Sequence, residues 1–378
     1  MHFDELAIAL FFLSGAVLAY TFFGYGVFIG WLARRRARPL SSPRENSIPP
    51  SVCVIVAARN EETRIAARLQ NLLASDYPPE KLRVILVSDG SSDATVANAE
   101  ALAHPRLTVL TRPDRRGKAA SLNFALSHAS EEVIVFTDAR QDFAPDAIAR
   151  LAAHFGDPEI GAVSGSLEIA PAASATGSGV DYYWRQEKSL RANESQYDSC
   201  IGCTGAIYAI RRELFSPIPD DTLLDDVVIP MQIAVAGHRV IHDPEARAYD
   251  PQALEPAAER RRKQRTIAGN FQMLFRHPGW LFPAHNRLWW QLLSHKYLRL
   301  TAPLFLAVAF IANATLIPHP FYAACFAGQV LFHLAALLGS AGVRARWASL
   351  PAAFVFLNLM TLRGLFYFLA RRTRPGWA

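Results

Sequence analysis

An uncharged run at residues 6–33 (LAIALFFLSGAVLAYTFFGYGVFIGWLA) constrains the fold more than any other part of this sequence. At about 1.5 Å of rise per residue, a helix over this run is long enough to cross a ~30 Å hydrocarbon layer. A cleaved signal peptide would have a shorter apolar core behind a basic start. This chain instead begins with Asp4 and Glu5 before the run, and no small-x-small cleavage site follows it. The sequence therefore predicts a transmembrane helix that is retained.

The residues after this run predict how the chain is oriented. Four arginines follow it directly: Arg34, Arg35, Arg36 and Arg38. Because basic residues flank membrane helices on the cytoplasmic side, we expect the N-terminus outside and the long polar middle inside. Three apolar segments come late in the chain, at residues 300–317, 321–343 and 347–370. They predict two to three more membrane helices.

The last of these segments fits a membrane span less well than the others. It contains Arg363, and a charge at mid-membrane costs about 2.5–3.5 kcal/mol on insertion scales. Counting spans also places Arg371, Arg372 and Arg374 outside, against the usual charge rule. Either Arg363 faces other helices or segment 347–370 does not fully span, and the sequence leaves both open.

Charge and cysteine content exclude some classes of protein. The net charge is +6 and the isoelectric point about 9.2. Much of the excess lies at membrane flanks, where anionic lipid headgroups explain it. No helix-turn-helix, zinc-finger or RNA-binding pattern accompanies it, so we expect no nucleic acid partner. Cys200 and Cys203 form a single CxxC without a second pair, which favours ordinary reduced cysteines over a zinc or redox site.

The polar middle of the chain, from about residue 49 to 250, alternates strand and helix patterns. Short β-branched runs predict strands at residues 52–57, 82–87, 107–110 and 133–136. Amphipathic stretches with helical spacing lie between them. Such alternation predicts an α/β fold with a mainly parallel central sheet and helices on both faces.

Polar clusters follow three of these strands, where ligands of such sheets sit. They are residues 58–61, 89–91 and 138–140. One such cluster is explained equally well as a capped loop, but three on one rim favour a binding site. The G-x-G-x-x-G and P-loop patterns are both absent from the sequence. The sequence therefore supports neither NAD binding nor P-loop chemistry.

Six motifs come in an order that resembles the membrane-embedded family 2 glycosyltransferases, which include cellulose, chitin, hyaluronan and poly-N-acetylglucosamine synthases and ceramide glucosyltransferases. The motifs are VIVAARNEE, VSDGSSD, RRGKAASLN, FTDA, CTGAIYAIRREL and LLDDVVIP. The resemblance runs from about residue 49 to 272. Each motif alone is weak, whereas the ordered set is specific. The resemblance implies a GT-A domain that binds a nucleotide sugar.

The resemblance also implies roles for particular residues. Asp89 would bind the nucleoside, and Asp138 would stand at the sugar diphosphate and at a divalent metal, Mg²⁺ or Mn²⁺. Asp226, next to Asp225, would be the general base, although both acids also suit the start of a helix. The donor-binding residues implied are Ala57, Arg59, Asn60, Glu61, Asp89, Lys118, Asp138, Arg140, Arg262 and Arg265. On the acceptor side they are Gly205 and Trp184.

Two positions depart from the family pattern. Where the family usually has D-x-D, this chain has Asp138-Ala139-Arg140. Our hypothesis is that Asp138 still meets the metal while Arg140 pairs with a phosphate oxygen or a nearby acid. The alternative is that Arg140 points to solvent.

The second departure is Thr266, where the family motif Q-x-x-R-W has tryptophan. Arg262 and Arg265 keep the basic positions and are expected to hold the departing UDP, the alternative being a solvated or lipid-binding face. Loss of the aromatic platform puts polysaccharide elongation in doubt. Trp184 is a candidate replacement, and it is equally well a packing residue.

These observations predict an inverting transferase that moves a sugar from a UDP-sugar to a glycan chain at the cytoplasmic membrane face. The alternatives are single transfer to a membrane lipid and a non-catalytic scaffold that senses nucleotide sugars. The predicted parts are a membrane helix with its basic flank (1–38), a cytoplasmic GT-A domain (48–252), interfacial amphipathic helices (253–297) and a C-terminal membrane region (298–378). Membrane lipids are expected partners.

Overall fold

The computed structural model describes residues 3–38, 48–169, 175–250, 256–343 and 345–371. Helices α1 (Phe3–Ala19) and α2 (Tyr25–Arg35) are joined by a π-helical turn, Tyr20–Gly24, in which the N–H of Tyr25 donates to the carbonyl of Tyr20. The three pieces form one rod. Its span Asp4–Arg35 is long and apolar enough to cross a membrane.

Eight strands form one sheet. They are β1 (Val52–Ala58), β2 (Leu82–Asp89), β3 (Leu107–Arg112), β4 (Val133–Asp138), β5 (Asp142–Phe143), β6 (Ile160–Ile169), β7 (Tyr208–Arg211) and β8 (Arg239–Asp250). The helices that connect them are α3 (Ile65–Leu73), α4 (Thr95–Glu100), α5 (Lys118–Leu126), α6 (Ala147–Ala153), α7 (Ala175–Tyr197) and α8 (Asp225–Val235).

The strand order is β3-β2-β1-β4-β7-β6-β8-β5. Strands β1 to β4 are parallel where they pair with one another, and so are β6 and β8, whereas β7 and β5 run antiparallel to their neighbours. This confirms the prediction of a mainly parallel sheet. Strand β1 is central and buried along its whole length, with alternate residues facing two hydrophobic cores.

The chain continues from the sheet into helix α9 (Pro256–Arg276) and then into the remaining apolar helices. Helix α10 (Trp289–Leu292), a second π-helical turn (Leu293–Tyr297) and α11 (Leu298–Thr315) form another continuous rod. Helices α12 (Pro320–Ser340) and α13 (Arg346–Arg371) follow. Three spans here are long and apolar enough to cross a membrane. The prediction of one N-terminal and two to three C-terminal membrane helices is confirmed.

The predicted boundary between residues 297 and 298 falls inside the rod that begins at Trp289. Interleaved aromatic and basic residues between positions 276 and 295 suggested an interfacial segment, but Ser294 and His295 are buried against the rest of the protein. Ser294 and His295 are hydrogen-bonded to residues that are distant in the sequence, so local composition could not predict that the helix continues through them.

Helix α13 packs its C-terminal half against α9. A Cβ atom on Gly364 would lie 2.4 Å from Cγ2 of Ile267, so the two helices touch closely there. Phe368 stacks on Phe275 with 5.6 Å between ring centroids. Arg363 is exposed, and the two explanations considered for its charge both stay predictions.

Candidate active site

The carboxyl ends of β2 and β4 deliver Asp89 and Asp138 to one edge of the sheet. Ala57 of β1 lies between them, because it pairs with Val87 on one side and with Asp138 on the other. Asp89 is fully buried, and its two carboxylate oxygens accept hydrogen bonds from the backbone N–H groups of Arg116 (3.0 Å) and Gly117 (2.8 Å). Asp89 therefore holds the loop that precedes α5.

Lys118, the first residue of α5, joins the acids of the site. Its Nζ lies 2.8 Å from Oδ1 of Asp138 and 3.3 Å from Oδ2 of Asp225. The lysine side chain is only 10% exposed, so these contacts are strong. Burial alone would raise the pKa of Asp138, but Lys118 and the more distant Arg265 and Arg140 hold it below the ordinary value. The structure thus brings β4, α5 and the start of α8 together around one ammonium group.

Asp226 is the acid of this group whose ionisation is most perturbed. Burial, followed by the neighbouring Asp225, raises the pKa of Asp226 to about 6, and Lys118 and Arg191 oppose the shift. A carboxylate with such a pKa is suited to accept a proton near neutral pH. Both aspartates also lie in the first turn of α8, so the helix-dipole explanation holds together with the chemical one.

A turn at residues 202–205 forms the wall beside Asp226. The N–H of Cys203 donates to the carbonyl of Asp226 (2.7 Å), and Gly202 adopts a φ of +80° that glycine tolerates. A Cβ atom on Gly205 would lie 2.9 Å from Oδ2 of Asp226. Because Gly205 has no side chain, the turn can approach this carboxylate closely, and the position of Gly205 on the acceptor side stays a prediction. Cys203 itself is a buried free thiol.

The loop after β1 is held against the loop after β2. The N–H of Asn60 donates to Oγ of Ser91 (3.2 Å), and its Oδ1 accepts from the N–H of Ser92 (2.9 Å). The N–H of Glu61 donates to Oγ1 of Thr95 (2.7 Å). Arg59 keeps its Nε buried without a hydrogen bond among the residues described. The predicted clusters at the ends of β1 and β2 thus form one continuous edge.

Arg140 turns away from Asp138 and binds Asp250 at the end of β8. Asp250 is buried and also accepts a hydrogen bond from Nε2 of Gln141 (3.3 Å). Of the partners considered for Arg140, the structure shows the nearby acid, and the side chain does not point freely into solvent.

The carboxylates near Asp138 determine whether a divalent metal would fit there. Within the described ranges, no three His, Cys, Asp or Glu side chains are grouped to hold a metal ion. Asp138 is 43% exposed, and among the described residues only one of its carboxylate oxygens, Oδ1, has a hydrogen-bond partner. Mg²⁺ and Mn²⁺ sites of this type take one or two carboxylates and complete their coordination with substrate phosphates and water. The residues present fit such a metal with Asp138 as the single protein ligand.

The basic motif lies on α9. Arg265 is close enough to Asp138 to lower the pKa of that carboxyl group. Arg262 and Arg265 are half-buried, whereas Thr266 is exposed and donates its hydroxyl to the carbonyl of Arg262 (3.0 Å). Trp184 lies in α7, but its side chain falls outside those that the structure describes.

Two arginines near the site were not among the residues predicted from the sequence. Arg68 is buried beneath Asp138, where it donates to the carbonyl of Asp138 (3.3 Å) and to Oγ1 of Thr137 (2.7 Å). A signal was present, since Arg68 lies on the apolar face of α3 between Ile65 and Leu69. Arg191 of α7 contacts the turn beside Asp226, and its local sequence contains no comparable signal.

Comparisons with known proteins agree with the fold described above. Residues 53–218 match the family model Glycosyl transferase family 2. The chain is 30% identical over 207 residues to an N-acetylglucosaminyltransferase of Rhizobium meliloti, covering 49% of this chain and 46% of that protein. It is 30% identical over 180 residues to a beta-monoglucosyldiacylglycerol synthase of Synechocystis, covering 46% of this chain and 36% of that protein. The matches thus span half or less of these curated relatives.

One solved structure resembles the whole chain. The mannosyltransferase PcManGT from Pyrobaculum calidifontis, in complex with GDP-Man and Mn²⁺, superposes with a TM-score of 0.75 at 26% identity. The match covers 95% of this chain and 99% of that one. Residues 53–218 therefore match a family 2 glycosyltransferase domain, in a chain whose fold is GT-A-like and is flanked by candidate membrane helices.

Proposed function

We propose that the protein is an inverting glycosyltransferase that moves a hexosyl group from a nucleoside diphosphate sugar to a hydroxyl group of an acceptor at the membrane surface. The observation that supports this most is the junction at Lys118, where Asp138 from β4 and Asp225 from α8 meet one ammonium group. Asp226 follows Asp225 directly and lies close to Gly205, where the absence of a side chain would leave room for an acceptor. Acids and bases from three elements thus converge where a diphosphate sugar would lie.

The donor would lie along the edge formed by β1, β2 and β4. Asp89 and the loop at Arg59, Asn60 and Glu61 would take the nucleoside side, and Lys118 and Asp138 the diphosphate side. The sequence predicted UDP as the nucleotide, whereas PcManGT is described with GDP-Man. The proposal is therefore a nucleoside diphosphate sugar, with UDP as the form predicted by the sequence.

The transfer step follows from the chemistry of one base. The acceptor oxygen forms a bond to the anomeric carbon while the bond from that carbon to the diphosphate oxygen breaks on the opposite face. Asp226 takes the acceptor proton, and the electron pair leaves with the nucleoside diphosphate. One displacement without a covalent enzyme intermediate inverts the anomeric configuration.

The negative charge that develops on the leaving diphosphate needs fixed cations nearby. Lys118 supplies one, and we propose that Arg262 and Arg265 of α9 supply two more. Arg265 already acts electrostatically on Asp138, so its charge reaches this part of the cleft. A divalent metal, when bound, neutralises further diphosphate charge, and Asp138 is the residue that would hold it.

Two acceptor classes remain in the proposal. The sequence favoured a growing glycan, and a relative named N-acetylglucosaminyltransferase is consistent with a sugar acceptor. Thr266 favours a membrane lipid as the second candidate, since an exposed threonine offers no aromatic platform for a sugar chain. The basic flank Arg34–Arg36 supports a cytoplasmic position for the transferase domain under either reading.

A non-catalytic nucleotide-sugar sensor is a weaker candidate. A sensor would need donor contacts, but it would not need a carboxylate whose pKa is raised to about 6 beside an open acceptor gap. The combination at Asp226 and Gly205 therefore favours catalysis.

A donor panel tests the proposal. The full chain in nanodiscs is incubated with UDP-glucose, UDP-N-acetylglucosamine and GDP-mannose, Mn²⁺, and either membrane lipid extract or short oligosaccharides, and products are identified by mass. We expect one donor to be consumed, with transfer lost in Asp226→Asn and nucleotide binding retained. One added sugar on a lipid supports the lipid acceptor, and a ladder supports the glycan. Binding of nucleotide without turnover of any donor would refute the proposal in favour of the sensor.

A further inference from the structure

Helix α7 places three charged residues on one buried face. Glu187, Arg191 and Glu194 are spaced by four and three residues, so they lie along the same side of the helix. Glu187 and Glu194 are 6% and 0% exposed, and the side chain of Arg191 is 14% exposed. Buried charges are costly unless they are paired, so the partners of these residues define what the helix does.

Arg191 connects this face to the active site. Its guanidinium donates to Oγ1 of Thr204 (2.6 Å), and the N–H of Thr204 donates to Oγ of Ser164 on β6 (2.9 Å). Thr204 precedes Gly205 directly, in the turn that walls Asp226. Arg191 thus holds the turn through Thr204, and its positive charge opposes the rise in the pKa of Asp226.

Glu187 connects the same face to the rod Trp289–Thr315. Nε2 of His295 lies 2.9 Å from Oε1 of Glu187, and Lys296 and Arg299 approach the same carboxylate at 3.2 and 3.1 Å. Nε of Arg191 lies 3.7 Å from Oε1 of Glu187, within ion-pair distance. Burial would raise the pKa of Glu187, but the neighbouring His295, Lys296 and Arg299 hold it well below the ordinary value.

Glu194 completes the connection with the first membrane helix. Its Oε1 accepts a hydrogen bond from the hydroxyl of Tyr25 in α2 and lies 2.9 Å from Nδ1 of His295. Its Oε2 accepts from the N–H of Ile201, at the start of the segment that leads to Thr204 (3.2 Å). Two candidate membrane helices and the wall of the acceptor gap therefore share one buried polar network.

We propose that Arg191 is a positioning residue for transfer, which holds the Thr204–Gly205 turn against Asp226 and is itself held by Glu187 to the membrane helix that carries His295. This proposal rests on the proposed function, because it concerns the geometry of the same base. Glu187 restrains the guanidinium, and Arg191 transmits that restraint to the turn. Assembly of the membrane helices is thereby required for a correctly shaped acceptor gap.

The test compares four variants of the full chain in nanodiscs: Arg191→Met, Arg191→Lys, Thr204→Val and Glu187→Gln. Thr204→Val removes the same hydrogen bond without leaving a buried charge unpaired, so it remains informative if Arg191→Met folds poorly. The control is Lys188→Met, on the same helix but with its ammonium on Glu168 and 36% exposed. Turnover of the donors UDP-glucose, UDP-N-acetylglucosamine and GDP-mannose is measured with binding of UDP and GDP and thermal unfolding.

Loss of a charge-assisted hydrogen bond at this place should lower kcat about 10- to 100-fold in Arg191→Met and Thr204→Val. We expect nucleotide affinity to change less than about twofold and Arg191→Lys to recover most of kcat, since it keeps the charge. The kcat of Glu187→Gln should lie between those of Arg191→Met and the wild type, and the kcat of Lys188→Met should match the wild type. If Arg191 had only a structural role, its loss would lower nucleotide affinity and kcat together. Arg191→Lys and Arg191→Met would then have similar kcat.

Wild-type kcat in both Arg191→Met and Thr204→Val would overturn the proposal, as would a parallel loss of nucleotide affinity. Asp226→Asn distinguishes this failure from failure of the proposed function. If Asp226→Asn is inactive while the position 191 and 204 variants are fully active, only the positioning role is wrong. If Asp226→Asn still transfers sugar, the base is wrong and the role of Arg191 falls with it.

Discussion

Gly205→Ala is the perturbation whose effect the structure predicts most directly. The added methyl group would lie 2.9 Å from Oδ2 of Asp226 and 3.3 Å from its Cβ and Cγ atoms. Carbon and oxygen atoms normally approach no closer than about 3.3 Å. The carboxylate must therefore retreat by about 0.4 Å, and the methyl group also fills space that an acceptor hydroxyl would need.

A displacement of this size is enough to affect the rate. Misplacing a reacting group by about 1 Å can cost on the order of 100-fold, so we expect kcat of Gly205→Ala to fall about 10- to 100-fold. That corresponds to about 1.4–2.7 kcal/mol of lost transition-state stabilisation. Gly205 is not among the glycines with positive φ, so alanine suits the backbone there and stability should change by less than about 1 kcal/mol.

The assay measures release of nucleoside diphosphate in nanodiscs, together with nucleotide affinity and thermal unfolding. Gly156→Ala is the matched control, because a Cβ atom there would meet nothing within 4 Å. We expect the control to match the wild type in all three measurements. Unchanged kcat in Gly205→Ala would refute the placement of the acceptor beside Asp226, and a large drop in its thermal midpoint would show that the effect is one of folding.

Other perturbations test neighbouring parts of the site. Because the ionised base is the active form and the pKa of Asp226 is raised to about 6, kcat should fall as pH drops below about 6, and a flat profile from pH 5 to 8 would contradict this. Folding raises that pKa, so ionised Asp226 costs stability above about pH 6, and Asp226→Asn should raise the thermal midpoint at pH 8 but not at pH 4. Asp138→Ala should abolish transfer, and near-normal turnover in Asp138→Ala would exclude it as the metal ligand. Chelation by EDTA should remove activity and Mn²⁺ or Mg²⁺ should restore it, whereas activity that survives chelation would argue against a metal. Arg140→Met should destabilise the fold by about 1.5–3 kcal/mol through its bond to buried Asp250, measured by denaturant unfolding, and Asp250→Asn in the same chain should recover part of the loss.

The sheet and the polar residues at its edge could be predicted because each is visible within a short stretch of sequence. Strand β1 is a continuous apolar run, as expected for a strand that is buried on both faces, and the acids at the ends of β2 and β4 follow from the rule that ligands sit at strand ends. The ordered motifs then identified the family. The four membrane-compatible spans were visible as apolar runs for the same reason.

The rest depended on contacts between distant residues. Arg140 and Asp250 are separated by 110 positions, so the sequence could name a nearby acid for Arg140 but not which one. Two partners of Glu187, His295 and Lys296, lie more than 100 positions away, in a segment predicted to be interfacial. Asp89 was expected to bind the nucleoside. In the structure, both of its carboxylate oxygens accept hydrogen bonds from backbone N–H groups, and the order of side chains in a sequence does not predict such backbone contacts. Trp184 stays a prediction.

The two π-helical turns have a consequence for anyone who shortens or aligns this chain. They lie side by side, since the hydroxyl of Tyr20 in one meets Oγ of Ser294 in the other at 2.8 Å. A π-helical turn contains one residue more than a regular turn, and each residue of an α-helix advances the rotation by about 100°. Because a π-helical turn already accommodates its extra residue, deleting a single residue at 20–24 would restore regular α-helical geometry with little rotation of α1 relative to Tyr25. A gap of one position in an alignment here would thus mark the loss of a π-helical turn, with the direction of the helix preserved on both sides.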